Sequence, residues 1–252
     1  MAQSPELSGG EGFTFEGNVA AFYLTALLAE ASAPGIKDRV VANVSVQQRD
    51  FGEQLDDIIV DFKDTNHNNA RLSLQVKRSL IISKAKTNTD FREIIRDSWA
   101  TFRKADFCKY VDRYGAVVGT VTPAKERAMN TLCGWARESL TTKHFEDRFA
   151  KDGNSNKDIR TAKSDITSLL NEMSEVVCTQ EDVHQFLAHF VLISFPVHSE
   201  GVVNTSEAIN HIRNCLDPNQ SQKAPLVWSK MVQLARESAG KAVNLTGLDW
   251  YA

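Results

Sequence analysis

An aspartate, a glutamine and a lysine have spacings that could bring them together at one end of a β-sheet. Asp57 precedes the apolar run 58–60, and Gln75 and Lys77 alternate with the aliphatic residues of 72–76. Successive side chains of a strand point to opposite faces, so Gln75 and Lys77 share one face. Carboxylate and amide oxygens are ligands for a hard cation, and an ammonium group stabilises developing negative charge. These residue types could therefore form a metal site with a cationic partner.

A β-hairpin is the element that must position these residues. Two apolar runs flank the polar segment 64–69, which is rich in the Asp, Asn and Thr residues that favour turns. Symmetric folding about His67 would place Asp57 opposite Lys77, with Cβ atoms about 5 Å apart. A register shift by an odd number of residues would move them to opposite faces. The site therefore depends on the parity of the register.

The periodicity of apolar residues outside the hairpin predicts alternating helices and strands. The predicted fold is α/β, a small mixed central sheet with helices on both sides, followed by a helical C-terminal extension. The predicted helices are 13–30, 90–104, 124–140, 159–173, 205–215 and 225–239, and the predicted strands outside the hairpin are 40–46, 114–121 and 190–197.

The composition is typical of a globular protein, with 42% apolar and 24% charged residues among 252. No apolar run approaches the roughly 20 residues that span a bilayer, so we expect no membrane association. The N-terminus lacks the basic and apolar regions of a secretory signal. The four cysteines form no CxxC pair, which argues against a zinc or redox motif and favours a cytoplasmic location.

Charge is distributed unevenly along the chain, although the net charge is only −3. Residues 1–70 contain 11 acidic and 4 basic side chains, and residues 71–113 contain 11 basic and 5 acidic ones. A metal-dependent nuclease needs carboxylates for its cation and cationic side chains for the flanking phosphates. Solvated helix faces would give the same counts, so charge alone does not decide between the two interpretations.

Together, these features resemble the PD-(D/E)xK nuclease superfamily. The closer likeness is to the double-stranded DNA endonuclease domain at the N-terminus of bacterial anti-phage effectors, which include CBASS effectors with a SAVED sensor and antiviral STAND NTPases. Two positions depart from the pattern: Asp56 replaces the usual proline, and Gln75 replaces the carboxylate. The matching residues are Gly10, Phe13, Phe15, Glu16, Leu55, Asp56, Asp57, Ile58, Leu74, Gln75, Val76, Lys77, Phe91 and Trp99.

The resemblance implies a restriction-endonuclease-like core and a Mg²⁺ cofactor, for which Mn²⁺ could substitute. Asp57 would be the principal ligand, helped by Glu16 and the Gln75 amide oxygen. Lys77 would hold or activate the attacking water. Double-stranded DNA would be the substrate, its flanking phosphates contacted by Arg78, Lys84 and Lys86.

The same resemblance suggests how the chain is organised. Residues 1–8 would be a flexible tail, 9–200 the nuclease domain, and 201–252 a helical extension leading to a C-terminal sensor or STAND NTPase module. Activation would require assembly into a homo-oligomer, because an oligomer brings several active sites onto one duplex.

Other interpretations stay open from the residues alone. Asp57 and Lys77 could be an ordinary cross-strand ion pair, and Glu16 could be an acidic residue that stabilises a helix N-terminus. Asp56 competes with Asp57 for the ligand role, since only one of two adjacent strand residues should face the site. The fold could also be a catalytically inactive binding or oligomerisation module, and an active enzyme could take RNA or single-stranded DNA instead.

Overall fold

A six-stranded mixed sheet forms the centre of the molecule. The computed structural model describes residues 5–150, 153–195, 203–238 and 243–246. The strands are β1 (Val40–Val46), β2 (Ile58–Lys63), β3 (Asn69–Leu80), β4 (Arg113–Val121), β5 (Phe190–Ser194) and β6 (Val243–Thr246). Their spatial order is β5-β4-β3-β2-β1-β6. The β3–β4 and β4–β5 pairs are parallel and the other pairs antiparallel.

Helices cover both faces of this sheet, which confirms the predicted α/β class. The helices are α1 (Pro5–Leu28), α2 (Thr89–Phe102), α3 (Pro123–Glu138), α4 (Thr142–Asp147), α5 (Lys157–Met173), α6 (Gln180–His189), α7 (Val203–Cys215) and α8 (Ala224–Ser238). One face of the sheet, with alternate aliphatic residues of β2 and β3, packs against α1, α7 and α8. The other face packs against α2 to α6 in a second apolar core.

The predicted hairpin forms, but its register differs by two residues from the predicted one. Lys63 pairs with Asn69 and Ile58 with Leu74, so Asp57 aligns with Gln75 rather than with Lys77. The cause is the turn, in which the Asp64 carboxylate accepts hydrogen bonds from the backbone N–H groups of residues 66 and 68. Since the shift is even, the polar residues stay on one face.

Near both limits of the described part of the chain, the secondary structure differs from the predicted one. Helix α1 begins at Pro5, so residues 5–8 are helical rather than a loose tail. The predicted boundary at residue 200 lies outside the described residues. The extension is not wholly helical, because β6 (Val243–Thr246) adds a strand beside β1, and α7 and α8 share a core with α1.

Neither disulfides nor a membrane span contributes to this architecture in the described residues. Cys108, Cys133, Cys178 and Cys215 are all free thiols. Among the helices of the described ranges, none has both the length and the apolar character needed to cross a bilayer.

Gly115 in β4 lies against the backbone of β5, and this contact gives a stability prediction. A Cβ atom built on Gly115 would lie 1.9 Å from the carbonyl oxygen of Val191, and its φ of +156° is also rarely adopted by other residues. The strands must therefore separate to admit a methyl group. We expect Gly115→Ala to lower the free energy of unfolding by about 3 kcal/mol, measured by urea denaturation.

Gly134 provides the control. It lies in α3, and a Cβ there would have no neighbour within 4 Å. Gly134→Ala should raise the free energy of unfolding by up to about 1 kcal/mol, because alanine is the better helix former. Equal effects of the two substitutions would contradict close contact between β4 and β5 at residue 115.

Candidate active site

Asp57 and Gln75 are in direct contact at the end of the sheet where β2 begins. The Asp57 carboxylate accepts a 2.7 Å hydrogen bond from the backbone N–H of Val76 and a 2.5 Å bond from the Gln75 side-chain amide. These bonds fix the carboxylate against β3. The chain therefore brings together the predicted acid and the predicted amide.

Lys77 lies two residues beyond Gln75, and its ammonium contacts the start of α2. Its Nζ is 3.5 Å from the Asp90 carboxylate. The positive charge of Lys77 also lowers the pKa of the Asp57 and Glu16 carboxyl groups. The amine therefore lies within electrostatic range of both acids, with Asp90 as its closest partner. Asp90 was not among the site residues predicted from the sequence.

Glu16 reaches the same region from α1. Its carboxylate accepts a 2.5 Å hydrogen bond from the Gln47 side chain, which follows β1. Gln47 has a φ of +52°, and its backbone N–H donates to the Asp57 carbonyl at 3.2 Å. Gln47 thus connects Glu16 to the strand that carries Asp57. Gln47 was not among the predicted site residues, because no local pattern signals a left-handed residue that is neither Gly nor Asn.

Asp56 and Asp57 have different partners. Asp56 is buried, and one of its oxygens accepts bonds from Arg49 at 2.8 and 3.1 Å. Asp57 instead faces Gln75. The expected division between the two acids is therefore present, with Asp56 in an ion pair on the short 3₁₀ helix Arg49–Phe51. The Asp56 charge still contributes to the electrostatics of Asp57 and Glu16.

Burial is the main reason that the pKa of Asp57 rises from 3.8 to about 7. The negative charges of Glu16 and Asp56 raise this pKa further, and the N–H of Val76 and the charge of Lys77 oppose the rise. Burial also raises the pKa of Glu16, against the lowering effect of its bond from Gln47. Asp57 and Glu16 therefore both lose their protons less readily than usual. A bound cation would favour the ionised form of both carboxyl groups and offset the repulsion between them.

Glu16, Asp57 and Gln75 suit a metal site that has few protein ligands. Within the described ranges, no group of three His, Cys, Asp or Glu side chains could hold a metal ion. Glu16 and Asp57 supply two carboxylates, and Gln75 could supply an uncharged oxygen. Mg²⁺ commonly takes one or two carboxylates and keeps its waters. Gln75 would have to turn its amide over, since it now presents its NH₂ group to Asp57.

This pKa predicts how metal binding should depend on pH. Below pH 7 Asp57 holds a proton, and a ligating carboxylate must lose it. The apparent affinity for Mg²⁺ should rise about tenfold per pH unit from pH 5 to 7 and level off above. Isothermal titration calorimetry at several pH values measures this. An affinity that is constant from pH 5 to 8 would contradict ligation by Asp57.

The predicted DNA-contacting residues have differing environments. Lys84 contacts α5, where its Nζ lies 3.5 Å from the Asp165 carboxylate and 3.3 Å from the Ser168 hydroxyl. Lys86 is exposed, and Arg78 at the end of β3 is half-buried. Two arginines not singled out from the sequence, Arg49 and Arg96, have side chains 63% and 55% exposed. Each is paired with a buried aspartate, Asp56 and Asp97 respectively.

Comparison with known proteins identifies similar folds only among solved structures. No family model matches the sequence, and no curated protein matches it. One similar structure is an Acinetobacter baumannii Cap4 SAVED/CARF-domain containing receptor with the cyclic trinucleotide 2'3'3'-cAAA. It is 12% identical with a TM-score of 0.50, and the match covers 98% of this chain and 43% of the receptor.

A second similar structure is a Moraxella osloensis Cap4 SAVED/CARF-domain containing receptor. It is 15% identical with a TM-score of 0.46, and the match covers 93% of this chain and 44% of that one. The chain thus spans less than half the length of these receptors. At 12% identity, the likeness to the Acinetobacter baumannii receptor concerns the fold alone.

Proposed function

We propose that this chain is a Mg²⁺-dependent endonuclease domain of the PD-(D/E)xK type. It hydrolyses phosphodiester bonds of double-stranded DNA with little sequence preference, as the effector of a bacterial anti-phage defence system. The observation that carries the proposal is the convergence of Glu16, Asp57, Gln75 and Lys77 from a helix and two strands at one end of the sheet.

Each residue has a role that follows from its surroundings. Asp57, fixed by Val76 and Gln75, and Glu16, fixed by Gln47, hold the cation. A bound Mg²⁺ supplies Lewis acidity, which lowers the pKa of a water and polarises the phosphate. Lys77 orients the attacking water and stabilises the negative charge that develops on phosphate oxygens.

Low sequence preference follows from the kind of cationic side chains near the site. Arg49 and Arg96 are exposed beside it, and Lys86 lies in the loop between β3 and α2. Such cations contact phosphates, which are the same in every sequence. Binding should therefore weaken steeply with added salt for all duplexes alike.

The resemblance to anti-phage effectors supports activation by self-association. Oligomers bring several copies of this site onto one duplex, which favours double-strand breaks. Sedimentation velocity, run on the same samples as a plasmid assay, tests this. Full activity in samples that contain only monomers would contradict it.

A second candidate function is an inactive nuclease fold that binds DNA or mediates assembly. One observation favours it. Gln75 donates its side-chain amide to Asp57, so β3 supplies a neutral group at the position where the nuclease motif has a second carboxylate. Calorimetry separates the two candidates. Intact DNA binding together with no binding of Mg²⁺ or Mn²⁺ would support the inactive module.

The direct test is cleavage of supercoiled plasmid. The chain, assembled as in the sedimentation samples, is incubated with Mg²⁺, Mn²⁺, Ca²⁺ or EDTA. Nicked and linear products with Mg²⁺ and Mn²⁺, and none with EDTA, are expected. Parallel digestion of duplex DNA, single-stranded DNA and RNA identifies the substrate. Cleavage that persists in EDTA would contradict the proposed mechanism.

A further inference from the structure

A concavity of about 850 Å³ lies at the other end of the sheet from the candidate active site. Its walls are the segment 32–39, the start of β4, part of α3 and the edge strand β5. Arg113 at the start of β4 pairs with Leu72, whereas Lys77 pairs with Val118. Five residues along a strand correspond to about 17 Å, so the two regions are separate.

Arg113 lines this concavity without an anionic partner. It is half-buried, and its Nη1 donates a 2.8 Å hydrogen bond to the carbonyl oxygen of Asp112. The same carbonyl lies 2.8 Å from Nδ1 of His189, which must therefore carry a proton and donate it. The guanidinium, 3.1 Å from that nitrogen, faces another donor. Among the described residues, none accepts a bond from its Nε or Nη2.

The Asp112 carboxylate does not neutralise Arg113 by direct contact. Its two oxygens accept backbone N–H groups of Arg71 and Cys108, at 2.8 Å each. Burial lowers the pKa of Arg113, and the nearby charge of Arg137 lowers it further. A half-buried cation with incomplete hydrogen bonding is costly unless an anion completes its surroundings.

Arg137 is the second cation of the concavity. It projects from α3, and its Nη1 donates to the carbonyl oxygen of Phe190 at 2.9 Å. In the described part of the chain, no carboxylate forms a salt bridge with Arg137. The neighbouring Glu138 pairs with Arg148 at 3.4 Å instead. Two guanidinium groups therefore repel each other beside the same open volume.

The remaining charges of the lining nearly cancel. Arg39 pairs with Asp64, which lies outside the lining, and Lys37 and Asp38 are both exposed. The excess positive charge is thus concentrated at Arg113 and Arg137. Guanidinium groups offer several N–H donors in a planar arrangement that matches the oxygens of phosphate.

We propose that Arg113 and Arg137 bind the phosphate group of a small phosphate ester in this concavity. The volume falls within the range of small-molecule sites. Tyr110, 90% exposed, lies on the lining together with the apolar side chains of Val191 and Ile193. An aromatic ring and aliphatic groups beside a phosphate site suit a mononucleotide, whose base can stack while the arginines hold its phosphate.

Calorimetry with the whole chain in EDTA tests this inference, using AMP, inorganic phosphate and adenosine as probes. AMP should bind saturably, phosphate more weakly, and adenosine not at all. Equal affinities for AMP and phosphate would support the arginine site with free phosphate as its occupant. Arg113→Gln and Arg137→Gln should each weaken binding of AMP by about tenfold or more. The assay involves no divalent metal and no cleavage, so its outcome is independent of nuclease activity.

Arg127→Gln is the matched control, because Arg127 is an exposed arginine on α3 that does not line the concavity. It should bind AMP like the unmodified chain. Arg137 is itself exposed, so its replacement should leave the thermal unfolding temperature unchanged even if Arg113→Gln lowers it. Absence of saturable binding at millimolar AMP and phosphate, or unchanged affinity in Arg137→Gln, would overturn the proposal.

Discussion

Replacing Lys77 with alanine should reduce Mg²⁺-dependent cleavage of plasmid DNA by about a hundredfold or more. Lys77 lies two residues beyond Gln75 on β3, and its charge lowers the pKa of both Asp57 and Glu16. The proposed role of its ammonium is to stabilise the negative charge that develops on a phosphate at this site. The effect should fall on kcat, because binding of the duplex depends on several other cations. Initial rates of nicking, measured at saturating Mg²⁺ and duplex, give the ratio.

Lys63→Ala is the matched control for Lys77→Ala. Lys63 is also a half-buried strand lysine, but it ends β2 beside the turn, six rungs from Asp57. Its replacement should leave cleavage unchanged. Equal rates for unmodified chain and Lys77→Ala, in assembled and correctly folded samples, would remove the nuclease assignment.

Asp57→Asn should abolish Mg²⁺ binding and cleavage while making the metal-free protein more stable at pH 8. The pKa of Asp57 is about 7 in the folded chain, above its ordinary 3.8. The folded state therefore holds this proton more tightly than the unfolded state, and the associated stability is lost as pH rises through 7. Asparagine removes the buried negative charge, so the free energy of unfolding at pH 8 should rise by about 1–2 kcal/mol.

Urea denaturation at pH 5 and pH 8, with and without Mg²⁺, measures this result. At pH 5 the folded carboxyl is protonated but the unfolded one, with its ordinary pKa of 3.8, is already ionised, so the substitution should stabilise the chain less at pH 5 than at pH 8. Addition of Mg²⁺ at pH 8 should stabilise the unmodified chain but not Asp57→Asn. Asp61→Asn serves as the control. Asp61 also lies on β2, but its carboxylate forms an ion pair with Arg71, at 2.9 Å, and takes no part in the proposed site. A variant that is less stable at pH 8, or one that keeps its Mg²⁺ response, would contradict the role of Asp57.

Much of the sheet could be predicted because its apolar pattern is local. Strand β1 has the predicted bounds, Val40–Val46, and the alternation after Leu72 correctly placed Gln75 and Lys77 on one face. Face assignment depends only on parity, so it survived the two-residue error in register. The opposing pair was wrong because pairing depends on the turn, where five residues intervene between Lys63 and Asn69.

The remaining features depend on contacts between distant segments. The bond from Gln47 to Glu16 joins residues 31 positions apart, and the ion pair of Lys77 with Asp90 joins β3 to α2. No local spacing encodes either. Strand β6 was missed because it lies in the segment predicted to be a helical extension, whereas pairing with β1 makes it extended. Lys84 could be recognised as basic, but its partner on α5 could not.

The turn between β2 and β3 is exposed, although the core residues Phe62 and Ala70 lie close to it on the two strands. Asn66 at its tip is exposed, and the ladder from Lys63 to Ile58 separates it from Asp57. The bonds from residues 66 and 68 to Asp64 set the register of that ladder. An insertion after Asn66 that shifts the register by one residue would move Asp57 and Gln75 to opposite faces of the sheet, so a peptide epitope or fluorophore for following the protein should be placed outside this turn.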